Sequence, residues 1–208
     1  MHPTRRGFVT GGLSLALGAG LGVGLPVGLI ARPANALSSD AARAHVEQAV
    51  DAVLALVRGP GDGAAKADKL AGVLETYAAM PQIARFAAGI AWREMGDDQQ
   101  QRYTAAFLHF LSTVYARRFG EYAGQSVTVG GVTDSGKRGL TVSSTVSQAG
   151  GQPILVDWLV TDRPGRIVIA DIVIEGVSLL ITQREEIGAM LNARGGDVER
   201  LISDLAAT

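Results

Sequence analysis

Hydrophobic positions recur along this chain with two different periods. Residues 40–57 place Val46, Val50, Val53, Leu54 and Val57 at helical spacing. Gly59-Pro60-Gly61 ends that helix. Residues 64–79 repeat the pattern with Leu70, Val73, Leu74 and Tyr77. Pro81 suits the first turn of a further helix, with Ile83, Phe86, Ala87 and Ile90 on one face. Gly96-Asp97-Asp98 breaks it and caps the next. Over 98–119, Tyr103, Phe107, Phe110, Leu111, Val114 and Tyr115 form a continuous stripe.

After Gly120 the period becomes two. "SVTVGG" (126–131), "GLTVSSTV" (139–146), "PILVDWLVT" (153–161) and "RIVIADIVI" (166–174) read as four strands. Turn-like links join them, which implies an antiparallel meander. In the third strand Ile154, Val156, Trp158 and Val160 share a face; Leu155, Asp157, Leu159 and Thr161 take the other. The last strand is apolar on both faces and therefore expects cover on both. Helices follow at 183–193 and 197–206. The pattern predicts an α+β fold: a four-stranded antiparallel sheet packed by N-terminal helices and a C-terminal helical tail. By segment, 37–122 is mainly helical, 123–176 sheet and 177–208 tail.

One junction stands out as polar within apolar surroundings, "IADIVIEGVSLLITQREEI" at 169–187. It is either the remnant of an active site or a structural corner. Gly176 lets the chain leave the strand, and Ser178 can bond backbone at the turn. Thr182 and Glu185 fit a capping box. Arg184 is expected to pair with Asp171 or Glu175. The corner reading outweighs catalysis by Asp171 or Glu175.

The first residues are read apart from the fold. Arg5 and Arg6 precede a Gly/Ala/Leu-rich run to Ile30, followed by Ala34-Asn35-Ala36. This predicts an export signal of twin-arginine type, 1–36, cleaved to leave a single domain, 37–208. A retained span is the alternative, but repeated glycine disfavours helix by about 1 kcal/mol per residue relative to Ala. The segment carries Arg5, Arg6 and Arg32 and no acid, so the remainder is more acidic than the whole chain's −1. That balance offers no footprint for nucleic acid and no lysine-rich membrane anchor. The chain has no cysteine, which excludes thiol chemistry and thiolate metal sites. His45 and His109 alone remain after residue 36, too few for a histidine-rich metal site, so no metal or cofactor is expected. Ser178 lacks a G-x-S-x-G context, and phosphate-loop and dinucleotide motifs are absent.

Several segments, in order, resemble one family. "ADIVIEGVSLLITQREEI" is similar to the D-x-x-I-E-G-[IV]-S-[LM]…R-x-x-[FI] segment of the MlaC, or toluene-tolerance, family of periplasmic phospholipid-binding proteins. "GIAWREMGDDQQQRYTAAFLHFLSTVYARRFGEYAG", "GGQPILVDWLV" and "ISDL" match further family segments across 40–206. This chain departs from the family at Ile167, where a Trp is frequent, and at Ile181-Thr182-Gln183. The resemblance implies an NTF2-like sheet with lipid tails held between sheet and helices, and no catalysis. Phe86, Ile90, Trp92, Phe107, Leu111, Tyr115, Val156, Trp158, Val160, Ile172 and Ile174 are then the candidate lining. Asp171, Glu175, Gly176, Ser178 and Arg184 form the structural corner. Expected cargo is a phospholipid. Expected partners are an inner-membrane ABC transporter complex and an outer-membrane lipoprotein complex, met in the periplasm. A hopanoid-type lipid, an NTF2-like enzyme on an apolar molecule, and a ligand-free binding module are the alternatives.

Overall fold

The computed structural model describes residues 37–121, 124–148, 150–163 and 165–208. The expected export signal, 1–36, lies outside the described residues. The chain begins with α1 (Ser39–Arg58), α2 (Gly63–Tyr77) and α3 (Met80–Ala88). A 3-10 turn at Ala91–Arg93 leads into α4 (Asp97–Arg117). The strands β1 (Ser126–Asp134), β2 (Leu140–Ser147), β3 (Ile154–Arg163), β4 (Arg166–Ile174) and β5 (Val177–Ser178) follow, then α5 (Leu179–Ala193) and α6 (Val198–Ala206). The architecture is α+β. The sheet has five strands in sequential antiparallel order, where four were expected. The fifth escaped because two residues are too short to show a period.

Local chemistry fixes the helix starts. Ser38, Asp62 and Asp197 each accept a first-turn N–H of α1, α2 and α6, which satisfies donors that have no partner within the helix. α4 starts instead from Gly96, with no side-chain cap. The C-terminus of α2 is capped by other elements. Arg166 of β4 donates to the carbonyls of Glu75 and Thr76. His45 of α1 lies 3.0 Å from that of Tyr77 through Nε2.

Three apolar clusters hold the helices and sheet. Ala42, Val46, Ala49 and Val50 of α1 recur at helical spacing and pack on Val142, Val160 and Ile169 of the sheet. Tyr103, Phe107, Phe110 and Leu111 of α4 pack with Ile187 of α5 and with Leu201, Ile202 and Leu205 of α6. Ala67 and Leu70 of α2 meet Ala116 of α4 in the third. Arg102 of α4 pairs with Glu199 of α6 at 2.7 Å, and Arg194 pairs with Asp204 at 2.6 Å. His109 is exposed on α4.

β4 carries a bulge that sets the sheet's inner face. Val160 pairs with Ile169 and Leu159 with Asp171, so Ala170 is the extra residue. The shift keeps Ile167, Ile169, Ile172 and Ile174 on the same face as Val156, Trp158 and Val160. At the bulge the Ile169 carbonyl accepts the N–H of Ala79 at 2.9 Å. The link between α2 and α3 is thereby pinned to the sheet.

Candidate functional site

The bulge, α2 and the start of α5 line a partly open cavity of about 280 Å³. Its wall draws on every layer: Val53 of α1, Leu74 of α2, Ile83 of α3, Leu111 of α4, Ile172 of β4 and Leu180 of α5. Four consecutive residues, Ile169 to Ile172, contribute from β4. A regular strand would turn alternate ones away; the bulge allows all four. The surface facing the space is almost wholly hydrocarbon.

Several of the few polar groups in the wall are bonded to the protein itself. Trp158 lines the cavity and its Nε1–H donates to Ser144 Oγ at 2.8 Å. Ser144, buried in β2, donates in turn to the Val156 carbonyl at 3.2 Å. Gln183 donates to Glu186 at 3.2 Å, while its Oε1 is buried without a protein partner. Burial pushes the Tyr115 phenol above its ordinary pKa, which keeps it neutral.

The corner of 171–184 is a hydrogen-bonded joint. Asp171 Oδ1 accepts from the N–H groups of Ile172 and Leu180 at 2.8 and 3.0 Å. Its Oδ2 accepts the Ser178 hydroxyl at 2.6 Å. Ser178 caps α5 by accepting from Ile181 N–H at 3.1 Å. The helix therefore begins at Leu179 and not at 183, and the expected Thr182–Glu185 capping box does not form; the Thr182 hydroxyl bonds the Ser178 carbonyl instead. Glu175 and Gly176 both have positive φ, +49° and +81°, and make the two-residue turn between β4 and β5. The Glu175 carboxylate accepts the Leu155 N–H, supplying an acceptor where the chain turns out of register. Arg184 pairs with neither acid. Its Nη1 donates to the Phe86 carbonyl at 3.2 Å, and the guanidinium lies 4.9 Å from the Phe86 ring centre. Both carboxylates are thus engaged in holding backbone.

The eleven apolar candidates separate into four places. Leu111, Tyr115, Trp158 and Ile172 line the cavity. Phe107 is fully buried between α4 and its neighbours, Val160 is buried between the sheet and α1, and Val156 is buried in β3. Ile174 lies at the exposed end of β4. Phe86 and Trp92 belong to a separate surface pocket beside Arg184, and Ile90 is 73% exposed. The reason for the last group is that α3 ends at Ala88, with Gly89 at φ +62°, so the helical stripe through Phe86 and Ile90 is cut short. Val73 and Leu74 of α2, Met80 and Ile83 of α3, and Leu179, Leu180 and Gln183 of α5 line the cavity without having been singled out. The periodicity of α2 and α3 carried part of that signal.

A sheet roofed by helices around a nearly all-hydrocarbon cavity defines a class of protein that receives an apolar ligand. The family model described as MlaC protein matches residues 47–207. The chain belongs to the MlaC family. It is also similar to the solved structure of a phospholipid-binding protein from Ralstonia solanacearum, determined in complex with a phospholipid at 1.53 Å. The two share 27% identity with a TM-score of 0.64, over 79% of this chain and 94% of that one. Among the described residues no helix is long and apolar enough to cross a membrane, and no group of His, Cys, Asp or Glu is arranged to hold a metal ion.

Proposed function

We propose that this protein is a periplasmic carrier that holds a phospholipid by its acyl chains. It passes the lipid between an inner-membrane ABC transporter complex and an outer-membrane lipoprotein complex. The observation that carries this reading is the apolar cavity between helices and sheet. Each acyl methylene moved out of water contributes about 0.8 kcal/mol, so a carrier needs hydrocarbon walls and little else. The family and the phospholipid-bound relative support the same cargo. We read the sheet as NTF2-like and the export as following the twin-arginine route. We read the carrier as performing no chemistry and using no cofactor; the engagement of Asp171 and Glu175 in hydrogen bonds within the corner supports the first of these.

Organic extraction of the purified protein, followed by mass spectrometry, tests this. A two-chain phospholipid in stoichiometric amount is expected. A preparation that carries no lipid and takes none up from vesicles would sink the carrier reading.

A further inference from the structure

The helix pair α3–α5 presents two different surfaces. Met80 and Ile83 of α3, with Leu179 and Leu180 of α5, face the apolar cavity. On the other side lies a pocket of about 300 Å³ lined by Arg85, Arg93, Arg184, Phe86 and Trp92, together with Gln82 and Gly89. Three guanidinium groups thus converge in a protein whose net charge is −1. Glu94 and Glu185 follow two of them in sequence, but no carboxylate lines the pocket among the described residues. Arg184 is held in place by the Phe86 carbonyl and ring. Gly89 leaves it room: a Cβ there would stand 3.4 Å from its Nη2. Arg85 and Arg93 are exposed and have no ion-pair partner among the described residues. Beside them Ile90 is 73% exposed and Phe86 38%. Ile181, one turn before Arg184 on α5, is 52% exposed.

We propose that this outer side of α3–α5 is a docking site for an anionic phospholipid surface. Guanidinium forks match phosphate oxygens in pairs, which a bilayer supplies at its headgroup level. Exposed Ile and Phe side chains enter the boundary between headgroups and acyl chains, where the indole of Trp92 is also at home. Acidic protein would satisfy the arginines and leave Ile90 and Ile181 without a role. The proposal rests on exposed side chains alone and does not depend on what the cavity carries.

Flotation with vesicles tests it, using the purified protein and variants that all keep the same N-terminal segment. Stronger binding to phosphatidylcholine vesicles containing phosphatidylglycerol than to phosphatidylcholine alone is expected, with loss at high salt. The double reversal R85E/R93E should lower the partition coefficient by roughly tenfold or more. I90S should lower it on anionic vesicles as well. The same charge change at K137E/R138E, in the link between β1 and β2, should leave binding unchanged. Equal binding to both vesicle types, equal loss in the two double variants, or unchanged binding in R85E/R93E would overturn the proposal. So would retention of polyglutamate through Arg85 and Arg93 with no vesicle binding, which would assign the pocket to an acidic protein.

Discussion

At the scale of single residues, the half-buried Asp171 ties the most together with one carboxylate. It stands in the cavity wall, yet its carboxylate faces the first turn of α5 and accepts three hydrogen bonds there and from its own strand. Asp171→Ala would strip the Leu180 N–H and the Ser178 hydroxyl of their acceptor together. A buried donor left unpaired costs about 1–3 kcal/mol. Ser178→Ala removes one helix cap, typically about 1 kcal/mol. Asp171→Ala should therefore lower the unfolding free energy more than Ser178→Ala. Because the two side chains bond each other, the double variant should lose less than the sum of the singles. Denaturant melts of all three variants check this. Strict additivity would mean that the two act separately and that the joint is not a unit.

At the scale of elements, the bulge in β4 decides where the cavity can be. Read with a period of two, Ile167 and Ile169 would face opposite to Ile172 and Ile174. The sequence therefore suggested a strand apolar on both faces, and Ala170 gives no warning that it is an extra residue. Helices α1 and α4 were legible because their buried positions repeat over two or more turns, and α2 and α6 because their apolar residues keep the same spacing over a shorter stretch. The start of α5 was not, since Thr182 and Glu185 imitate a capping box four residues beyond the serine that caps. The stripe at Phe86 and Ile90 misled for a related reason: it runs past the end of a nine-residue helix. Deleting Ala170 would test what the bulge does. The pairing of Ile169 with Val160 and of Ile172 with Trp158 could persist as a regular ladder, so the inner face would survive. The extra bend would go, withdrawing Asp171 from α5 and the Ile169 carbonyl from Ala79. Cooperative unfolding with a lowered melting temperature and reduced copurifying lipid is expected. An unchanged melting temperature and lipid content would show that the bulge is incidental.

At the scale of the whole molecule, three separate clusters surround a hole instead of merging into one core. Their members meet at the cavity wall, so what fills the cavity bears on all three at once. At about 280 Å³ it lies at the small end of ligand pockets. Two long acyl chains need it to widen, which separate clusters permit more readily than a single packed core. A ligand that binds only the folded state stabilises it by mass action, so lipid removal should lower the melting temperature and added phospholipid should restore it. Trp158 gives the sharper test, because it touches both the sheet cluster and the cavity. In a closed core, Trp→Ala costs about 3–5 kcal/mol, part of it for the void left behind. At a wall that lipid can fill, the void term depends on occupancy. Trp158→Ala should therefore lower the melting temperature of lipid-free protein more than that of lipid-loaded protein. Calorimetry of both forms of wild type and variant measures the difference. Equal losses in the two forms would place the whole effect in the packing against Val142 and Ile172 and the bond to Ser144, and would remove Trp158 from the lipid's path.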